Sequence, residues 1–345
     1  NNHLYALENM EMKYVLPIDI QNYFNDFAET TLERTNKKPS KALLKDAKSV
    51  LSQVFQKGMR DNVATSNPVE GLEMPEAYEG KSRALTEWEQ ELFDKTATKF
   101  LADGSAQQKK FAIVILAMLY AGLRRGEAVA IDMTTPDFDA NKLRIRHAIA
   151  YNGNQGTYGD PKSEAGVRDI PIMEPLLSPL KKRVEALQAA HKKDTKIIDI
   201  AAYKSDEPEE PVFIFSTEQG EMPTEACFDC AWESFLIHVN RLACKEKNVP
   251  TPINKWGNPD KRLKMPTIIN RITPHMLRHT YATILCESGI KLKTAMVWFG
   301  HSDIQLLLEV YSDLRDKHED EETKKLAAYL NKDKKDDAKT GGQPS

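Results

Sequence analysis

The chain has 345 residues, 41% of them hydrophobic and 29% charged, enough for two domains with a sizeable core. No run is apolar for long enough to cross a bilayer as a helix, and the first residues, NNHLYALENMEMKYV, hold no signal-peptide core. A formal net charge of −3, taken alone, speaks against a nucleic-acid partner, but net charge hides segregated charge.

The segregation appears early. Residues 16–34 carry Ile18, Ile20, Tyr23, Phe24 and Phe27 in a helical pattern. A stronger helix is predicted over 39–61, with Leu44, Ala47, Leu51, Val54 and Phe55 as its apolar face. From Arg34 to Arg60 there are eight basic residues and a single acid, Asp46. Lys37 and Lys38 precede the second helix, and Lys41, Lys45 and Lys48 make a separate basic stripe along it. A solvated face is the ordinary reading of such a stripe; a phosphate-contacting face is the other. The stretch 62–84, rich in Pro, Gly and Asn and without periodicity, reads as an inter-domain linker. The boundaries follow as a helical domain over 1–74, a linker over 75–84, a larger domain over 85–330 and a disordered tail over 331–345.

The larger domain opens with a capping box, Thr86 with Glu89. QQKKFAIVILAMLYAGL (107–123) is apolar all round and is the predicted central helix. KLRIRHAIAY (142–151) alternates as a strand, and NGNQGTYGDPKSEAGVRDIPI (152–172) reads as the turns and short strands of a small sheet. VFIFS (212–216) is a candidate strand between helical stretches. Cys227 and Cys230 form a C-x-x-C pair with no second ligand pair, so two buried core thiols are expected on a helix. With only four cysteines in all, the chain fits a reducing cytoplasm. PHMLRHTYATILCESG (274–289) is a helix with Pro at its start and Gly past its end. The fold class is mainly α with a small β-sheet.

Three stretches carry chemistry. AGLRRGEA puts Arg124 after the central helix, with Glu127 three residues on. TPHMLRHT puts His275 and Arg278 on one helical face. FGHSDIQLLLEVYSDL holds His301 and, ten residues later, Tyr311. In this order they resemble the tyrosine recombinase (phage integrase) family over most of the chain. The resemblance makes residues 1–74 a core-type DNA-binding domain and 85–330 a catalytic domain. It implies Arg124, His275, Arg278 and His301 as catalytic residues, Tyr311 as nucleophile, Glu127 as a supporting acid and Lys162, in DPKSEAGVRDIPI, as the catalytic lysine.

The residue types suit that chemistry. A phenol is a better leaving group than an alkoxide, so strand cleavage by tyrosine is reversible without ATP. Two guanidiniums can clamp the non-bridging phosphate oxygens with paired hydrogen bonds, supplying the charge that a metal supplies elsewhere. No cofactor or metal is expected. The implied partners are double-stranded DNA at attachment or transposon-end sites, a Holliday junction, and copies of the chain in a tetramer joined by a C-terminal helix with Leu326, Ala327 and Leu330. The implied location is the bacterial cytoplasm, on the nucleoid. The chain lacks an initiator Met and is expected to be a piece without the family's frequent N-terminal arm-site domain. The same residues would serve a chromosome-dimer-resolving recombinase or a type IB topoisomerase, and without catalysis a DNA-binding regulator.

Overall fold

A computed structural model describes residues 7, 10–78, 83–161, 166–195, 211–252, 266–300, 304–312 and 323. The chain divides into two compact units, 1–82 and 83–345.

In the first unit, α1 (Pro17–Thr35) and α2 (Lys41–Arg60) follow the apolar periodicity. Pro17 starts α1, and the Asp19 carboxylate accepts from the Leu16 N–H at 2.9 Å. Ser40 Oγ caps α2 by accepting from Leu43 N at 3.1 Å. Ile20, Phe24, Leu44 and Phe55 are buried, but Val54 is 49% exposed. The contacts of α2 cover a narrower face than its apolar pattern offers.

Residues 62–78, aperiodic in the sequence, pack onto this unit, so the packing extends past the predicted domain end at 74 into the first residues of the predicted linker. Ala64 and Val69 are buried in its core, and Leu72, Met74 and Ala77 lie against it. Buried Asn67 accepts from Val69 N at 3.2 Å and donates to Ser52 Oγ at 2.9 Å. Gln21 donates to Glu73 O at 2.7 Å, and a bridge pairs Tyr78 with Ser40. These bonds satisfy backbone groups that have no helix or sheet to enter.

The second unit is built on α4 (Ala106–Tyr120), in which every residue from Phe111 to Leu119 is buried. A helix apolar on all sides needs packing on all sides. α3 (Glu87–Asp103), α6 (Leu177–Thr195), α7 (Glu225–Glu246) and α8 (Pro274–Glu287) supply it. Thr86 and Glu89 form the expected capping box of α3, with bonds of 3.2 and 2.9 Å. Along α7, Phe228, Trp232, Phe235, Val239 and Ala243 make the buried stripe. Cys227 is half-buried beside that stripe and Cys230 is exposed, so only one thiol of the pair meets the core expectation.

Among the described residues the β structure is a three-stranded sheet and a separate hairpin. β1 (Pro136–Asp137), β2 (Lys142–Ile145) and β5 (Arg168–Pro171) form an antiparallel sheet in the order β1-β2-β5. β3 (Ala148–Asn152) pairs with β4 (Gln155–Gly159) as a separate hairpin. The predicted strand 142–151 therefore breaks at Arg146–His147, where Arg146 reaches back to Arg168 O and Asp169. Residues 212–216 contribute a single bridge, Phe213 to Asp132, not a strand. A short α5 (Arg125–Val129) follows α4, and α9 (Leu292–Phe299) follows α8. Residues 304–312 are helical. No helix among the described residues is long and apolar enough to cross a membrane.

Candidate active site

The site starts where α4 ends. Gly122 has φ +61, and a Cβ there would lie 2.2 Å from the Tyr281 ring, so the turn out of α4 admits only glycine without rearrangement. The turn delivers Arg124 to the start of α5. Its Nη1 donates to Glu127 Oε1 at 2.8 Å, and its backbone N–H donates to Glu127 Oε2 at 3.0 Å. Glu127 is 3% exposed. Burial pushes its carboxyl up, but the Arg168 hydrogen bonds and the charges of Arg168, Arg278 and Arg124 outweigh that and hold it at about 2.

α8 brings the next two residues. His275, in its first turn, is exposed, and its ring meets that of His279 edge to face at 5.1 Å. Arg278 is 1% exposed. Its Nη1 donates to Gly122 O, its Nη2 donates to Phe299 O at 2.6 Å, and its guanidinium lies 3.8 Å from the centroid of the Phe299 ring. A buried guanidinium is tolerated where carbonyls and an aromatic face replace water. Leu277, Tyr281 and Leu285 turn the same helix's apolar face inward.

Arg124, His275 and Arg278 line one pocket of about 340 Å³, together with Met118, Leu123, Arg125, Thr273 and Pro274. No carboxylate is among these lining residues. Three arginines and a histidine around one cavity make a receptor for an anion with several oxygens. Tyr311 does not line this pocket. It packs with Tyr281, Leu285, Phe299 and Leu307, and its hydroxyl donates to Ile290 O at 2.6 Å. Burial pushes its hydroxyl up to about 12, with a smaller push from Cys286. Lys162 and His301 lie outside the described residues.

Residues 89–318 match the model of the phage integrase family. The chain belongs to that family. It is accordingly a site-specific recombinase of the tyrosine class, of the kind that mobile elements carry. One relative is a XerC-like tyrosine recombinase of Caldanaerobacter subterraneus, 25% identical over 321 residues, 90% of this chain and 70% of that protein. Another is the transposase of Tn916 from Enterococcus faecalis, 24% identical over 199 residues; these are 57% of this chain and only 41% of the transposase. The fold is shared with the integrase of transposon Tn1549, solved in complex with transposon right-end DNA. There the TM-score is 0.61 at 19% identity, covering 92% of this chain and 87% of that one.

The structure of this recombinase also holds two site arginines that the sequence motifs did not single out. Arg125 lines the pocket, pairs with Glu225 at 2.7 Å and lies 5.6 Å from the ring centroids of Tyr151 and Phe228. Arg168 is buried, and its two terminal nitrogens meet the two Glu127 oxygens at 2.9 and 2.7 Å. A signal for Arg168 exists in the sequence. It stands two residues before Ile170, hence on the same, inward face of its strand. Two further arginines at or beside the small sheet are ion-paired: Arg144 with Asp137, and Arg146 with Asp169 at 2.6 Å.

In the first unit, Lys41, Lys45 and Lys48 line a cleft of about 440 Å³ with Leu44, Met74, Pro75 and Ala77. Lys48 is half-buried and donates to Leu72 O at 3.4 Å. Lys37 is exposed, and Lys38 is ion-paired with Glu76.

Proposed function

We propose that this chain recombines the ends of a mobile element by cutting and rejoining duplex DNA through a 3′-phosphotyrosyl link. The observation that carries the reading is the convergence of Arg124, His275 and Arg278 on one pocket that has no carboxylate among its described lining residues. A scissile phosphate fits such a pocket, with the two guanidiniums on its non-bridging oxygens. Tyr311 Oη attacks phosphorus, the bond to the 5′ oxygen breaks, and Lys162 protonates that oxygen. His275 assists the tyrosine proton transfer, and His301 donates to a phosphate oxygen. A 5′ hydroxyl from the other duplex then attacks the phosphotyrosine, re-forms the phosphodiester and releases Tyr311. Each step exchanges one phosphate ester for another, so the balance closes without ATP.

For the attack, the Tyr311 hydroxyl must leave the Ile290 carbonyl. Glu127 orients Arg124 and does not touch DNA. Lys37, Lys38, Lys41, Lys45 and Lys48 contact DNA phosphates, with the Lys38–Glu76 pair opening to free that lysine. Four copies act on two duplexes, each lending its C-terminal helix to a neighbour, and the reaction passes through a Holliday junction on the bacterial nucleoid.

The test uses a nicked suicide duplex bearing the element's own end junction, incubated with the protein in EDTA. A covalent adduct on a denaturing gel, absent for Tyr311→Phe, is the expected result. Binding without an adduct on a verified junction would replace this reading with that of a DNA-binding regulator. An adduct that persists in Tyr311→Phe would remove the tyrosine from its role.

A further inference from the structure

Arg168 takes no part in the step just described, yet it is bonded both to Glu127 and to the end of α9. Its side chain is 3% exposed. Nη1 donates to Glu127 Oε1 at 2.9 Å and to Gly166 O at 3.1 Å, Nη2 to Glu127 Oε2 at 2.7 Å, and Nε to Trp298 O at 2.9 Å. Glu127 is thereby filled symmetrically: each of its oxygens takes one hydrogen from Arg168 and one from Arg124. Trp298 and Phe299 end α9, and their carbonyls accept from Arg168 and Arg278 respectively. Two cations thus sit on the carbonyl end of the helix that runs into Gly300 and, one residue later, His301.

We infer that Arg168 is a positioning residue for strand cleavage, holding Arg124 through Glu127 and holding the end of α9 through the Trp298 carbonyl. The inference rests on the role proposed above for Arg124. A buried ion pair is a poor source of stability compared with apolar packing. What this one supplies is direction. The planar fork of Arg168 fixes the plane of the Glu127 carboxylate, and that plane fixes where the Arg124 guanidinium stands at the pocket. A lysine at 168 would keep the charge and lose the fork. A neutral residue would leave Glu127 buried with Arg124 and Arg278 as its remaining cations. Burial would then raise its carboxyl, and acid would neutralise the group that holds Arg124.

The experiment compares wild type, Arg168→Lys, Arg168→Met and the double variant Glu127→Gln/Arg168→Met in the full chain. Single-turnover adduct formation on the suicide duplex is followed from about pH 5.5 to 8.5, with DNA affinity measured alongside; misplacing a reacting group by about 1 Å costs on the order of 100-fold in rate. The expected result for Arg168→Lys is a rate loss of that order with little change in affinity. For Arg168→Met, an additional loss on the acid side is expected, and the double variant should lack it. Equal rates and superimposable pH profiles across the set would overturn the inference. A second readout needs neither cleavage nor the neutral variants: the Arg124 Nε–Hε NMR signal, identified by its absence in Arg124→Lys. It should report an ordered guanidinium in wild type and a mobile one in Arg168→Lys; an equally ordered signal in both would also overturn the inference. If wild type itself forms no adduct, the proposed reaction fails, and the NMR comparison still decides what Arg168 does.

Discussion

Substituting Gly122 with alanine tests whether the end of the central helix sets the site. Two costs add there. The backbone sits at φ +61, where a Cβ costs about 1–2 kcal/mol. The new carbon would also lie 2.2 Å from Cδ1 of Tyr281, whose ring is packed face to face with Phe299, and overpacking of this kind costs about 1–3 kcal/mol. The sum is a loss of about 2–5 kcal/mol in unfolding free energy. Gly153 is the internal control. Its φ is +59, but a Cβ there meets no heavy atom within 4 Å, so Gly153→Ala should lose only the first part. Urea midpoints of the two variants, read with a common slope, measure the difference directly. Gly122→Ala should also slow adduct formation more than Gly153→Ala, because Gly122 O accepts from Arg278. Equal stability losses in the two variants would refute the claim that the Tyr281 ring closes over this turn.

Two further outcomes follow from charge. Glu127 is held at about 2, below its ordinary 4.5, so its ionised form stabilises the fold. That contribution, about 3 kcal/mol, is complete above about pH 4.5 and is lost as pH falls toward 2. The stability difference between wild type and Glu127→Gln should therefore shrink on acidification; a difference that stays constant would mean the carboxylate is not the stabilising form. In the first unit, the double change Lys41→Ala/Lys45→Ala should weaken binding to all DNA sequences alike and flatten the salt dependence by about 1 in log–log slope per phosphate contact removed. An unchanged slope would return the stripe to an ordinary solvated face.

Much of the second unit was legible because its signals are local. The Thr86–Glu89 box needs only its own four residues, and the central helix declares itself by having no polar side. Arg124, His275 and Arg278 could be grouped in advance because the resemblance supplied an order that periodicity does not, and the structure brings these three to one pocket. Arg168 was passed over because a charged residue in a four-residue strand looks like an outward position. Alternation with Ile170 marks the inward face, but what makes a charge acceptable there is its partner, 41 residues away. The 62–78 stretch was misread for a related reason. Its anchors, Ala64, Asn67 and Val69, are too few and too unevenly spaced to form a pattern, yet each finds a place on α1 and α2. Val54 shows the converse, since periodicity gives the direction of a face and not how much of it a neighbour covers.

The burial of Arg278 bears on how such a chain can lose its activity in descent. With 1% of its surface exposed and its guanidinium bonded to the last carbonyl of α9 and to the turn after α4, this arginine is as much a core residue as Phe111 or Leu277. Replacing it costs the second unit buried hydrogen bonds and packing as well as a site guanidinium. Tyr311 sits at the margin of its cluster and gives up one hydroxyl bond when changed to phenylalanine. The fold should therefore tolerate loss of the Tyr311 hydroxyl better than loss of the Arg278 guanidinium, so inactive variants that stay folded should lack the tyrosine and keep the buried arginine.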